Sequence, residues 1–245
     1  MIVSAFIAAS IAYPFGIGDI IPHVAILSIT PELALYTGIV GIVCGILGGV
    51  FGRALRFTRR FLKGHFNKPY ITVITSSLVI VCFVYAFGLY DFEGSGMNLL
   101  KDALAGSIGT YDFVIKMGFV FMALAFGLKG GEIMPTLAIG GLTGCSVGQL
   151  IGIDAAFASA LGVITFYVGM SRCPIAGFFL GCEVFGWSIA PFLVIGVICA
   201  LVGNRDYGYY GHGLLAEVHR QVAARHAEVA ADTSDNAEIH RSPEK

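Results

Sequence analysis

A succession of apolar runs, unequal in length and interrupted by glycine and proline, restricts this chain more than any other feature. The runs cover residues 2–13, 33–51, 71–89, 113–128, 136–151, 155–170 and 175–202. A helix that crosses a bilayer needs roughly 20 apolar residues, because the hydrocarbon is about 30 Å thick and a helix rises about 1.5 Å per residue. Runs 33–51 and 71–89 meet that length. The run 113–128 carries Lys116. The remaining ones are short, except 175–202, which Glu183 and Pro191 divide into two helices. Short, broken apolar segments are how transporters place helix ends near the bilayer midplane. The expected fold is all-α: a polytopic membrane protein of broken and tilted transmembrane helices.

Composition agrees with a membrane chain. Hydrophobic residues make up 56% and charged residues only 13%, against about 25% charged in an ordinary soluble domain. Mean hydropathy is +0.81. The basic residues Arg53, Arg56, Arg59, Arg60, Lys63 and Lys68 form a run without an acid. Flanked by apolar spans, the run reads as a cytoplasmic loop or an amphipathic helix on anionic lipid, and not as a nucleic-acid surface. The first thirteen residues are apolar but lack a basic leader and precede Pro14, so no cleaved signal peptide is read there. From Ala216 onward the chain turns polar. Residues 1–215 are therefore expected to form a membrane domain, and 216–245 a disordered cytoplasmic tail.

Glycines four apart (Gly41 and Gly45; Gly140, Gly144 and Gly148) predict close helix packing in lipid. The six cysteines include no Cys-x-x-Cys pair, and no metal-ligand cluster, cofactor loop or nucleophile–base arrangement is legible. An enzyme is not expected. Asp112, Lys116 and Asp154 are expected near helix ends, with Lys116 snorkelling. Glu183 is expected to make a hydrogen bond to a neighbouring helix.

The stretch Gly130-Gly131-Glu132-Ile133-Met134-Pro135 carries the chemistry. A glycine pair, then a proline in a first helical turn, marks a helix start with unpaired N–H groups and the positive end of a helix dipole. Such a start attracts anions. If it lies within the membrane, it binds an anion without the grip of a full charge, which favours release. Alone, the pattern equally describes a plain helix–loop–helix turn.

This stretch resembles the G-x-F-x-P element of the CLC chloride channel and antiporter family. Three further segments agree in order. Gly94-Ser95-Gly96-Met97-Asn98 resembles a glycine-rich turn. Ser171-Arg172-Cys173-Pro174-Ile175-Ala176-Gly177, followed by Glu183, resembles the R-x-P-L-T-G segment. Tyr209-Tyr210-Gly211-His212-Gly213 resembles the start of the final helix. The resemblance implies the C-terminal half of an inverted-repeat fold, and chloride transport by a voltage-gated channel or a chloride/proton antiporter. It assigns the anion site to Gly131, Glu132, Ile133, Met134, Pro135 and Tyr210, with the backbone N–H groups of Glu132 and Ile133 as ligands and Tyr209 as a one-residue alternative to Tyr210. Glu132 departs from the apolar residue usual there. It is read either as a proton-linked group, with Lys129 as a candidate partner, or as a vestibule residue capping the helix dipole. G-G-E-x-x-P is similar to fluoride-transporting relatives, although these usually lack the tyrosine.

The G-S-G-x-P and G-R-E-G-P elements of the N-terminal half are not found. The implied partners are chloride or fluoride, protons, the bilayer, a separate N-terminal half and a second copy in a homodimer, with Phe178, Phe179, Phe185 and Trp187 in the region concerned. The expected location is the plasma (inner) membrane. A solute transporter and a non-transporting fragment are the competing readings.

Overall fold

The computed structural model describes residues 30–65, 69–125 and 131–204, all within one compact unit. These residues form eight α-helices, which we number in order. They are α1 (Pro31–His65), α2 (Pro69–Phe87), α3 (Met97–Leu104), α4 (Asp112–Ala125), α5 (Ile133–Ile151), α6 (Ala155–Ser171), α7 (Pro174–Phe185) and α8 (Ala190–Gly203). Single 3-10 turns at Tyr90–Phe92 and Trp187–Ile189 join α2 to α3 and α7 to α8.

Helix boundaries follow local chemistry. The α5 helix ends at Gly152, which takes φ +82 and donates its N–H to the Gly148 carbonyl at 2.8 Å. Two residues later Asp154 caps α6 by accepting the Phe157 N–H at 2.8 Å. The run 175–202 divides into two helices as the sequence implies, but the break falls at Gly186, and Glu183 lies within α7. Gly186 ends α7 at φ +91 and ψ 160, and Pro191 sits in the first turn of α8, where its missing N–H costs nothing.

Helix α6 is the centre of the fold. It packs most broadly on α5 and α1, and also touches α8, α7 and α3. Almost every residue from Phe157 to Ser171 is buried. A helix apolar on all sides belongs in such a position. The glycine stripes provide the close approach. A Cβ at Gly140 would stand 2.7 Å from the Gly162 carbonyl oxygen of α6, and one at Gly41 would stand 2.7 Å from the Gly196 oxygen of α8. Helices α1 and α2 instead expose apolar faces, with Leu35, Ile39, Ile42, Ile46 and Val50 on α1 and Ile74, Leu78, Val81 and Phe83 on α2. Continuous apolar surface of this kind suits hydrocarbon and not water.

Several sequence expectations are revised. Of the basic run, Arg53 to Lys63 is helical and not a loop, and Lys68 lies outside the described residues. Helix α1 continues unbroken from Pro31 through Arg53 and Lys63 to His65, 35 residues in all, because no proline interrupts it before Pro69. Helix α5 begins at Ile133, ahead of the apolar run 136–151, with Pro135 in its first turn as the pattern predicts. Its 19 residues are long and apolar enough to cross a membrane. Helices α4, α7 and α8, at 14, 12 and 14 residues, are shorter than the roughly 20 a full span needs. Glu183 makes no hydrogen bond to a neighbouring helix among the described residues and lies exposed on α7. Of the four aromatic residues assigned to a dimer or lipid face, Phe185 is fully buried in the core, while Phe179 and Trp187 are exposed.

The joint between α6 and α7 is also a brace. Arg172 ends α6 in the left-handed region at φ +62. Its guanidinium donates to the Leu201 carbonyl at 3.2 Å and to the Asn204 carbonyl. Buried Asn204 donates in turn to the Gly169 carbonyl at 2.6 Å. A cation on the last carbonyls of α8 also complements that helix's dipole. Arg172→Ala is expected to lower stability by about 1.5–3 kcal/mol, the range for hydrogen bonds to a charged donor. Thermal unfolding in detergent measures this.

Candidate anion site

The α5 start is a helix N-terminus without a side-chain cap. Glu132 is the N-cap, with φ −79 and ψ −24, and its side chain makes no capping bond. The Thr136 N–H reaches the Glu132 carbonyl at 3.3 Å, and the Thr136 hydroxyl donates to the same oxygen at 2.6 Å. Pro135 has no N–H. The N–H groups of Ile133 and Met134, which precede it, are too early in the helix for an i−4 partner within it. That leaves the first turn short of internal acceptors, the condition under which helix starts bind anions.

A cavity of about 600 Å³ opens beside this turn. Gly131, Met134 and Pro135 line it, together with Lys116 of α4 and Glu93 and Ser95 of the α2–α3 loop. Glu132 and Ile133 do not line it, and the Ile133 side chain is 46% exposed. Gly131 has open space around it and no positive φ. The backbone freedom read into it from sequence is therefore not used. Gly131→Ala is expected to change stability by less than about 0.5 kcal/mol, like an ordinary surface substitution, as a detergent melt would check. Gly130, Lys129, Tyr209, Tyr210 and the polar tail from Ala216 lie outside the described residues.

Lys116 was missed by sequence reasoning as a site residue. It does not snorkel. Its side chain is 1% exposed, and its Nζ donates to the carbonyls of Phe92 at 2.9 Å and Gly94 at 3.0 Å. Asp112 does lie at a helix end, where it accepts the Gly109 N–H at 2.7 Å. The loop closes onto Lys116 through Gly96, whose φ is +79. A Cβ there would meet Lys116 Cε at 2.7 Å and Ala138 Cβ of α5 at 2.9 Å. The contact places the ammonium next to the second turn of α5. The signal available in the sequence was a lone lysine among the apolar residues that follow Asp112 in a fourteen-residue helix.

The family model for voltage gated chloride channels matches residues 1–205. The chain belongs to the CLC family. CLC proteins are integral membrane proteins, and the all-helical fold agrees. A chloride/fluoride channel protein of Pseudomonas syringae pv. tomato is 25% identical over 222 residues, covering 85% of this chain and 48% of its own length. An uncharacterized protein of Methanocaldococcus jannaschii is 26% identical over 147 residues, 58% of this chain and 37% of that one. The crystal structure of a CLC-type fluoride/proton antiporter superposes with a TM-score of 0.77 at 26% identity, over 84% of this chain and 53% of that one. This CLC chain thus spans about half the length of the relatives it matches.

Proposed function

We propose that the chain forms the C-terminal part of a halide transporter, in which the start of α5 receives the anion on its backbone N–H groups. The observation that carries this is the helix start itself: a first turn without a side-chain cap and with a proline, beside a cavity lined by the buried Lys116. Fluoride exchanged against protons is the first candidate. Glu132 stands at the N-cap in the G-G-E-x-x-P pattern, and two of the similar proteins carry fluoride in their names. Glu132 then serves as the proton-linked group, because a carboxyl beside an anion is tolerated best when protonated. Chloride is the second reading, favoured by Tyr209 and Tyr210. Transport requires an N-terminal half supplied by a further polypeptide segment, and a homodimer in the plasma membrane with a cytoplasmic tail is the arrangement we assign by family. A voltage-gated channel remains the alternative mode to antiport.

Liposomes loaded with fluoride or chloride test the reading. The chain paired with a CLC N-terminal half should release one halide at rates well above empty vesicles, with proton movement if exchange operates. Retention of both anions by the paired sample, with the protein demonstrably inserted, overturns it.

A further inference from the structure

Resting on the halide-transport reading above, we propose that Lys116 is the fixed positive charge of the anion cavity, a binding residue that holds the halide next to the start of α5. The argument begins with cost. Burying an ammonium takes it from water at a penalty of several kcal/mol unless something compensates. The two hydrogen-bond partners of Lys116 are the carbonyls of Phe92 and Gly94. Carbonyls orient the ammonium, but being neutral they leave its charge uncancelled. An ammonium has three N–H donors, and among the described residues only two are taken. Glu93 lines the same cavity but is exposed, and no ion pair joins it to Lys116.

The position is informative as well as the charge. Lys116 lines the same cavity as Gly131, Met134 and Pro135 at the α5 start. Much of the remaining wall is apolar, including Ile80, Phe119 and Leu124. An apolar wall lowers the local dielectric and strengthens the attraction for an anion. The start of α5, the positive end of its dipole, borders the same cavity through Gly131, Met134 and Pro135. Two sources of positive potential therefore converge where the fold otherwise offers few polar groups. The ligand class is a small monovalent anion, because a single ammonium neutralises a single charge. The loop carbonyls keep the lysine from collapsing onto the anion, which moderates the grip and leaves release possible.

The test is halide affinity of the reconstituted transporter, read as the half-saturating concentration of sodium fluoride and of sodium chloride in flux, alongside maximal flux and thermal stability. Three variants separate charge from shape. Lys116→Arg keeps the charge. Lys116→Gln keeps a donor for the carbonyls without the charge. Lys116→Met keeps the length alone. We expect Gln and Met to raise the half-saturating concentration at least tenfold, and Arg to stay within about threefold of wild type. If Met does not fold, the Arg and Gln pair decides. Wild-type affinity in Lys116→Gln, or equal loss in Arg and Gln, overturns the proposal and assigns Lys116 to pinning the loop. Halide flux by wild type combined with unchanged Gln affinity defeats this inference alone. No halide flux by wild type defeats the transport reading beneath it.

Discussion

Gly144→Leu is expected to abolish the folded protein. A Cβ at Gly144 would meet the Ala158 carbonyl oxygen at clashing distance and the Gly162 Cα at 2.8 Å, and a Cβ at Gly162 would stand 2.5 Å from the Gly144 Cα. The obstacles are backbone atoms of the facing helix, which cannot turn aside as a side chain can. Adding atoms to a packed core costs about 1–3 kcal/mol, and occasionally more. Here a single methyl already forces α5 and α6 apart along their whole contact, so Gly144→Ala is placed near 3 kcal/mol and leucine beyond what a marginally stable fold retains. The measurement is the monodisperse fraction in detergent and its melting temperature. Gly118→Ala is the control. Gly118 is exposed on α4 with nothing within 4 Å of an added Cβ, and alanine there should be neutral or slightly stabilising. Normal melting of Gly144→Leu would mean that the two helices do not meet as described.

Glu132→Gln should raise halide affinity under conditions where the carboxylate is ionised. A carboxylate held about 4 Å from an anion repels it by about 4 kcal/mol at an effective dielectric of 20. Tenfold in affinity corresponds to about 1.4 kcal/mol, so the upper bound is close to a thousandfold. The sign follows from which form the anion prefers. Repulsion exists only in the ionised form, so anion binding favours proton uptake, and wild-type affinity should be weaker in alkaline than in acidic solution. Glutamine mimics the protonated carboxyl, and its affinity should stay flat at the acid-side level. Helix α5 should survive the change, because the Glu132 side chain makes no capping bond and the Thr136 bonds go to the Glu132 backbone carbonyl. Halide affinity measured across pH for both proteins decides it. Parallel curves would remove Glu132 from proton coupling and leave it as a vestibule residue.

The spans were legible because burial in lipid or in a helical core demands unbroken apolar runs, and proline and glycine mark their ends. Pro191 began the second helix of the last run as expected, whereas Gly186 and not Glu183 ended the first. The glycine stripes were legible for the same reason, since spacing of four is a property of one helix face. What failed depended on partners distant in sequence. Lys116 snorkels or is buried according to where a loop 22 to 24 residues earlier places its carbonyls, and no periodicity records that. Glu183 was given a hydrogen-bond partner because apolar neighbours suggested burial, but its face of α7 is the exposed one. The α5 start was legible because a proline is tolerated in a first helical turn, and Pro135 stands in that turn. The stretch proposed to bind the anion stood out only through its resemblance, since a glycine pair before a helix is common in proteins of every kind.

The unbroken course of α1 has a mechanical consequence. At about 1.5 Å per residue its 35 residues extend about 52 Å, some 20 Å more than the hydrocarbon thickness. The segment that carries Arg53, Arg56, Arg59 and Arg60 therefore moves as one rod with the segment that packs on α6 and α8. Any pivot of the inner portion swings the cationic end sideways, and any pull on that end by headgroups returns as torque on the helices holding the centre of the fold.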